Sequence, residues 1–192
     1  MRQTLKRAPF RSLEHLTAKV AADFVPNERL SVTESATKYT KLGDGGGRTV
    51  DWSLRRTPYI AEPQDTLVSL DYNGMIFVGP ARTGKSVMFL NWIGHSVMND
   101  PDDMLLCHTD MKNGRKWSKG EFDRYLIASS EVRARQMTAR QFDNTFDKQF
   151  KSGMRFNLTF PTASNLSAIT VAKVGFMDYD RIPDDATESS NP

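Results

Sequence analysis

The sequence is poor in cysteine, in long apolar runs and in histidine, and each shortage excludes a class of protein. A single cysteine, Cys107, excludes an intramolecular disulfide and is expected at a buried strand position. No apolar run is long enough for a transmembrane helix, and the basic N-terminus lacks the apolar stretch of a signal peptide. The three histidines, at positions 15, 95 and 108, do not have the spacing of metal ligands. These absences predict a cytoplasmic protein with no membrane partner.

An excess of charge of one sign is also missing from the chain as a whole. The 192 residues, enough for one domain with a real core, carry 26 Lys and Arg against 23 Asp and Glu, a net charge of +3. This is too little to indicate nucleic-acid binding by itself. Residues 111–155 are less balanced, with 11 Lys and Arg against 5 Asp and Glu. This basic segment either follows a phosphodiester backbone or forms a solvated helical surface.

What the sequence does contain is a complete phosphate-binding loop with the pattern G-x-x-x-x-G-K-S. Its residues are Gly79, Pro80, Ala81, Arg82, Thr83, Gly84, Lys85 and Ser86. The apolar run 75–78 predicts a strand before the loop, and an apolar pattern predicts a helix after it. In such loops backbone N–H groups face phosphate oxygens, the lysine reaches the β- and γ-phosphates, and the serine hydroxyl binds Mg²⁺. The loop therefore predicts ATP and Mg²⁺ as ligands, with a fortuitous glycine turn as the alternative.

Strand and helix patterns alternate after the loop, which predicts an α/β fold. The expected strands are 104–108, 155–160 and 171–178, and the expected helices are 118–127 and 131–142. We therefore predict a P-loop NTPase fold, with a mostly parallel sheet flanked by helices. An N-terminal helix (10–24) and a polar, glycine-rich linker (31–48) are expected to precede it. The predicted organisation is 1–50 for helix and linker, 51–185 for the ATPase domain and 186–192 for a disordered tail.

A phosphate-binding loop also needs a carboxylate that holds Mg²⁺ and a group that orients water. Asp178 ends an apolar strand pattern and is the predicted metal ligand. A glutamate often follows such an aspartate, but here Tyr179 and then Asp180 follow. Asp180, or a residue outside the chain, is therefore expected to serve as the catalytic acid. A plain acidic turn is the alternative.

Three further residues are predicted to contact the nucleotide. Arg82, inside the loop, either stabilises charge on the γ-phosphoryl group or is an exposed loop residue. Tyr59 is predicted to stack on the adenine ring. Gln64 is predicted to read the edge of the same ring.

Several elements in order resemble one family, the large terminase subunit of tailed phages of the GpA type. These are the Thr-Pro-Tyr element within 52–65, the arginine-containing loop within 77–86, and the segments 104–108, 162–166 and 176–185. The resemblance runs from about Phe10 to Asp185. It implies an ATP-driven motor that packages double-stranded DNA into a procapsid. The implied partners are a small terminase subunit, a portal protein and further copies of the motor.

The resemblance also assigns residues. Gly79, Gly84, Lys85 and Ser86 match the family's nucleotide loop, and Arg82 matches its in-loop arginine. Either Asp178 or Asp180 matches the metal-binding and catalytic acid region. The family's nuclease domain has no counterpart before Pro192, so an ATPase fragment is expected. Two alternatives are another DNA-dependent P-loop ATPase, such as a helicase, and a non-catalytic remnant of a truncated prophage gene.

Overall fold

The computed structural model describes residue 17 and residues 27–43, 47–139, 141–167 and 170–182. The predicted N-terminal helix, apart from Thr17, and the predicted tail at 186–192 lie outside these ranges. Within them the chain forms a mixed α/β fold whose four-stranded sheet is mostly parallel, as the sequence predicts.

The helices and strands alternate through most of the chain. In chain order they are α1 (Val32–Tyr39), β1 (Lys41–Gly43), β2 (Thr49–Asp51), α2 (Ala61–Thr66), α3 (Lys85–Met98), β3 (Met104–Cys107), α4 (Met111–Trp117), α5 (Asp123–Ala128), α6 (Ser130–Ala134), β4 (Asp147–Gln149), β5 (Arg155–Thr159), α7 (Ala163–Leu166) and β6 (Lys173–Phe176). A π-helical turn, Ser118–Phe122, joins α4 to α5. Short 3-10 helices lie at Leu54–Arg56, Pro58–Ile60 and Tyr179–Arg181.

Strand β3 lies inside the sheet, whose order is β4-β5-β3-β6. It runs parallel to β5 and β6, and all four of its residues are buried. Helix α3 packs closely over β6, because a Cβ atom on Gly175 would lie 2.8 Å from the Phe89 ring and 3.3 Å from Trp92. Only glycine fits there. The parallel arrangement brings the carboxyl ends of β3 and β6 to the same edge of the sheet.

An aromatic cluster fixes the helical segment from α4 to α5 against the sheet. The ring centroids of Phe122 and Phe156 are 4.7 Å apart, and those of Trp117 and Phe122 are 5.6 Å apart. All three side chains are buried. Aromatic pairs at such separations stabilise a core beyond the area they bury. The π-helical turn between α4 and α5 is thereby held in place.

The predicted linker at 31–48 is wrong over most of its length. Helix α1 begins with a capping box, in which Ser31 Oγ accepts from Glu34 N at 3.2 Å and Glu34 accepts from Ser31 N at 2.8 Å. Its buried Val32 and Ala36 belong to the core, and β1 pairs with β2 in an antiparallel hairpin. Residues 44–46 lie outside the described ranges.

The strand predicted directly before the loop is also absent. Residues 75–78 are irregular and pair with no strand that the structure describes. Their side chains alternate, with Met75 and Phe77 half-buried while Ile76 and Val78 are 92% and 88% exposed. The segment therefore has the side-chain pattern of a strand without a hydrogen-bonded neighbour, and a strand requires that pairing.

The predicted helices after β3 have different bounds. The helical segment begins at Met111 and continues through the π-helical turn to Ala128, so Ser118 lies within it rather than at its start. Helix α6 ends at Ala134 instead of near Phe142, because the chain turns back and Gln136 forms an antiparallel bridge with Phe150. Within the described ranges, no helix combines the length and the apolar character needed to cross a membrane.

Candidate functional site

The loop from Gly79 to Ser86 is curled tightly, and its glycines allow this. Gly84 has a φ angle of +84°, and a Cβ atom there would lie 2.8 Å from Ile60 Cδ1. Thr83 Oγ1 donates to the carbonyl of Pro80 at 2.8 Å. Arg82 also has a positive φ, of 66°. This conformation is uncommon for a residue with a side chain and occurs more often at functional sites. The backbone turn at position 84 thus requires glycine.

Helix α3 presents an uncapped N-terminus to the loop. Gly84 is its N-cap residue and supplies no side-chain hydrogen bond, and the first turn holds no acidic residue. The first N–H groups of an α-helix have no partner within the helix, and the helix dipole places positive charge at this end. A phosphate group satisfies both requirements. The 14-residue helix and the curled loop therefore fit an anion such as a nucleotide phosphate.

Lys85 folds back across the loop. Its Nζ donates to the carbonyl oxygen of Gly79 at 2.5 Å and to that of Pro80 at 2.8 Å. An ammonium group held on backbone carbonyls is positioned at the mouth of the loop and can exchange these acceptors for phosphate oxygens. Arg82 lies exposed in the same loop.

Asp178 lies next to the carboxyl end of β6. The N–H of the preceding residue, Met177, donates to the carbonyl oxygen of Cys107 at 2.9 Å. This hydrogen bond extends the contact between β6 and β3. Asp178 itself adopts a left-handed conformation with φ 48° and ψ 48°, which turns the chain out of the strand. Asp180 follows in the 3-10 helix Tyr179–Arg181, and both aspartates are exposed.

His108 occupies the corresponding position after β3. Burial lowers the pKa of its imidazole, and the charges of Asp178 and Asp110 act in the opposite direction. Asp178 therefore lies close to the end of β3 as well as to that of β6. The predicted burial of Cys107 is confirmed, and desolvation raises the pKa of its thiol to about 11.

The structure adds Glu121, which the sequence did not suggest. It lies in the π-helical turn Ser118–Phe122. Burial raises the pKa of its carboxyl group, and the charge of Asp178 acts in the same direction. The side chain as a whole is exposed, but its carboxyl group is shielded in part from solvent.

The two residues predicted to bind adenine lie in different environments. Tyr59 is 53% exposed, and its hydroxyl donates to the carbonyl of Thr83 at 3.3 Å, so its ring lies beside the loop. Gln64 is fully buried, where its Oε1 accepts from Asn91 at 2.6 Å and its Nε2 donates to Thr33 at 3.2 Å. Contact between Gln64 and adenine would require both core hydrogen bonds to be given up. The adenine contacts stay predictions.

Oxygen ligands for a divalent cation are few at this site. In the part of the chain that the structure describes, no group of three or more His, Cys, Asp or Glu residues could hold a metal ion. Mg²⁺ with a nucleotide is commonly held by one or two protein oxygens together with phosphates and water. Ser86, at the start of α3, and Asp178, after β6, offer oxygen atoms of this kind.

One comparison with known proteins is informative. The sequence model of a family described as phage terminase large subunit gpA, ATPase domain, matches residues 46–192. This range includes the loop, Glu121, Asp178 and Asp180, and it confirms the resemblance drawn from the sequence. No curated protein matches the chain.

Proposed function

The chain belongs to the family of the phage terminase large subunit gpA ATPase domain, and we propose that it hydrolyses ATP to drive packaging of double-stranded DNA into a procapsid. The observation that carries the proposal is the arrangement of the loop. A glycine-dependent turn, an uncapped helix and a lysine that spans the loop all converge on one anion-binding position. Together these features support binding of a nucleotide phosphate at the loop.

Each loop residue has a role in this proposal. Backbone N–H groups of the curled loop and of the first turn of α3 bind the phosphates. Lys85 leaves the carbonyls of Gly79 and Pro80 and donates to oxygens of the β- and γ-phosphates. Tyr59, beside Thr83, stacks on the adenine ring. Arg82 is exposed in the loop and is placed to stabilise negative charge on the transferring phosphoryl group.

Ser86 and Asp178 are the proposed protein ligands of Mg²⁺. When bound, Mg²⁺ neutralises charge on the β- and γ-phosphate oxygens. Asp178 is favoured over Asp180 because it directly follows Met177, whose N–H donates to the carbonyl oxygen of Cys107 at 2.9 Å, where β6 and β3 end.

The proposed partners are double-stranded DNA, a small terminase subunit, a portal protein and further copies of the chain. Support for the DNA contact comes from the basic segment at 111–155. Many of its basic side chains are exposed, namely Lys112, Arg115, Lys116, Lys119, Arg124, Arg133, Arg135, Lys151 and Arg155. Lys148, by contrast, is buried and paired with Asp123 and Asp143, so it does not contribute to the surface charge.

The proposal is tested by changing Lys85→Ala and measuring both binding of a fluorescent ATP analogue and phosphate release. We expect ATP affinity to fall at least about 100-fold and hydrolysis to be lost, because the phosphates lose a charge-assisted donor. Lys151→Ala, an exposed lysine outside the loop, is the matched control and should bind ATP like the wild type. Normal binding and turnover by Lys85→Ala would overturn the assignment of the loop.

A further inference from the structure

Gln64 joins two neighbouring helices from inside the core. It lies in α2 and is fully buried. Its Oε1 accepts a hydrogen bond from Asn91 Nδ2 on α3 at 2.6 Å, and its Nε2 donates to Thr33 Oγ1 on α1 at 3.2 Å. A buried amide is costly to leave unpaired, so a network of this kind favours one arrangement of the elements that it joins.

The same network fixes the first turn of α1 against α2. The N–H of Thr33 donates to Asp65 Oδ1 at 2.8 Å, and Thr33 Oγ1 donates to the carbonyl oxygen of Ala61 at 3.5 Å. Because Gln64 contacts both Thr33 and α3, the six residues of α2 are tied to the helices on both sides. The position of α2 is therefore set by hydrogen bonds as well as by apolar packing.

Residues 57–60, which lead directly into α2, form a wall behind the phosphate-binding loop. Ile60 is 1% exposed, and a Cβ atom on Gly84 would lie 2.8 Å from its Cδ1. The hydroxyl of Tyr59 donates to the carbonyl oxygen of Thr83 at 3.3 Å. The tightest turn of the loop, where Gly84 has a φ angle of +84°, is therefore packed against this wall.

The spacing of the contacts links the network to the wall. Ile60 is the N-cap residue of α2 and Gly84 is that of α3. Gln64 follows Ile60 by one helical turn, and Asn91 follows Gly84 by two turns, so each pair lies on one face of its helix. Met88, between them on α3, is buried in the same apolar cluster as Ile60. A shift of α2 at Gln64 would therefore move Ile60 relative to the loop.

We propose that Gln64 is a positioning residue for nucleotide binding, whose amide sets the place of α2 on α3 and thereby the wall that supports the turn at Gly84. The inference rests on the proposed function. It assigns Gln64 to the support of the phosphate-binding loop instead of to the adenine ring. In this role Gln64 contacts neither the base nor the reacting atoms, and it acts through Ile60.

The experiment uses Gln64→Met in the full chain, because methionine has a similar shape and lacks both hydrogen-bonding groups. Two probes separate the possible roles. A fluorescent ATP analogue presents base and phosphates, whereas inorganic triphosphate, measured by competition, presents phosphates alone. We expect the affinity for both probes to fall about tenfold and by the same factor, because both use the loop. Circular dichroism establishes that the variant is folded.

Ser35→Ala is the matched control. Ser35 is buried, and its Oγ donates to Asn99 Oδ1 at 2.6 Å, where Asn99 is the C-cap residue of α3. The substitution also removes a buried hydrogen bond between α1 and α3, but at the end of α3 that is remote from the loop. It should lower the midpoint of urea unfolding and leave both affinities within about twofold of the wild type. An equal loss of affinity in Ser35→Ala and Gln64→Met would indicate general destabilisation and overturn the role of Gln64.

Thr33→Val tests the same network from α1. It removes the hydroxyl at a half-buried position and keeps the shape, so it disturbs the core less than Gln64→Met does. We expect a loss of about threefold in affinity for both probes. Unchanged affinities in Gln64→Met, or in Thr33→Val where Gln64→Met does not fold, would overturn the inference. A loss confined to the ATP analogue would also overturn it, because Gln64 would then be assigned to the adenine ring.

Failure of the proposed function is distinguishable from failure of this inference. A wild-type chain that binds neither probe would overturn the proposed function and the role of Gln64 with it. Wild-type binding of both probes, together with an unaffected Gln64→Met variant, would overturn only the latter.

Discussion

At the scale of single residues, the site depends on one glycine that the backbone requires. It also depends on polar and charged side chains that lie far apart in the sequence. Gly84 is required because the loop turns through a positive φ beside Ile60. Ser86, Glu121 and Asp178 come from a loop, a helical turn and a strand end, and are separated by at least 35 positions. Burial, and after it the charge of Asp178, raise the pKa of the Glu121 carboxyl group.

The two aspartates after β6 can be told apart by substitution. We expect Asp178→Asn to lose Mg²⁺-dependent hydrolysis by about 100-fold or more while nucleotide affinity without Mg²⁺ is kept, because a metal ligand is removed. Asp180→Asn should change the rate by less than about threefold. The measurement is phosphate release together with analogue binding over a range of Mg²⁺ concentrations. If Asp180→Asn alone is inactive, the metal ligand has been assigned to the wrong residue.

At the scale of elements, the helices beside the site depend on a buried ion pair. Lys148 is 3% exposed and lies 3.0 Å from Asp123 Oδ1, which joins β4 to α5. Asp143 contacts the same ammonium group at 2.7 Å. Burial raises the pKa of Asp123, but hydrogen bonds to Lys119 and Lys148 outweigh it, and the net effect is a lowered pKa.

This lowered pKa predicts a pH-dependent stability. A carboxyl group whose pKa is lower in the folded than in the unfolded protein stabilises the fold. The contribution is complete at pH values above the unfolded-state pKa of about 3.9, and it is lost as the pH falls through the folded-state pKa. Asp123→Asn should therefore reduce the free energy of unfolding by roughly 1–3 kcal/mol at pH 7. The difference from the wild type should shrink below about pH 4. Urea unfolding at pH 7, 5, 4 and 3 measures it. An exposed aspartate, Asp51, gives the control substitution Asp51→Asn. A difference that is independent of pH would contradict the prediction.

Elements differ in how well the sequence predicts them, and the reasons are physical. Strand β3 was predictable because all four of its residues are buried, so the run is apolar throughout. Helix α1 was missed because its polar residues outnumber the few that it buries, although Ser31 and Glu34 have the spacing of a capping box. The run at 75–78 is apolar enough for a strand, but pairing depends on a neighbour elsewhere in the chain.

The site was predictable in the same uneven way. The loop is contiguous, so its pattern alone identifies Gly84, Lys85 and Ser86. Asp178 stands out in the sequence because it follows a strand, where parallel topology often places functional side chains, and its role as a metal ligand stays a prediction. Glu121 lies in a charged helical stretch with no motif around it.

At the scale of the whole molecule, the site and the basic segment lie on connected elements. Glu121 belongs to the same helical region as the exposed Lys112, Lys116 and Arg124. The net charge of +3 is modest, so any DNA binding must depend on how charge is distributed over the surface.

DNA binding through this segment should weaken steeply with salt, because each phosphate contact releases counterions. The double variant with Arg133→Ala and Arg135→Ala removes two phosphate contacts. The plot of the logarithm of the binding constant against the logarithm of the salt concentration should become less steep by about 2, whatever the DNA sequence. Arg55→Ala with Arg56→Ala removes two equally charged, exposed residues outside the segment and should leave the slope unchanged. The measurement is fluorescence anisotropy of a labelled duplex from about 50 to 200 mM salt. Equal slopes for the two double variants, or binding that does not depend on salt, would assign the segment to a solvated helical surface rather than to a DNA contact.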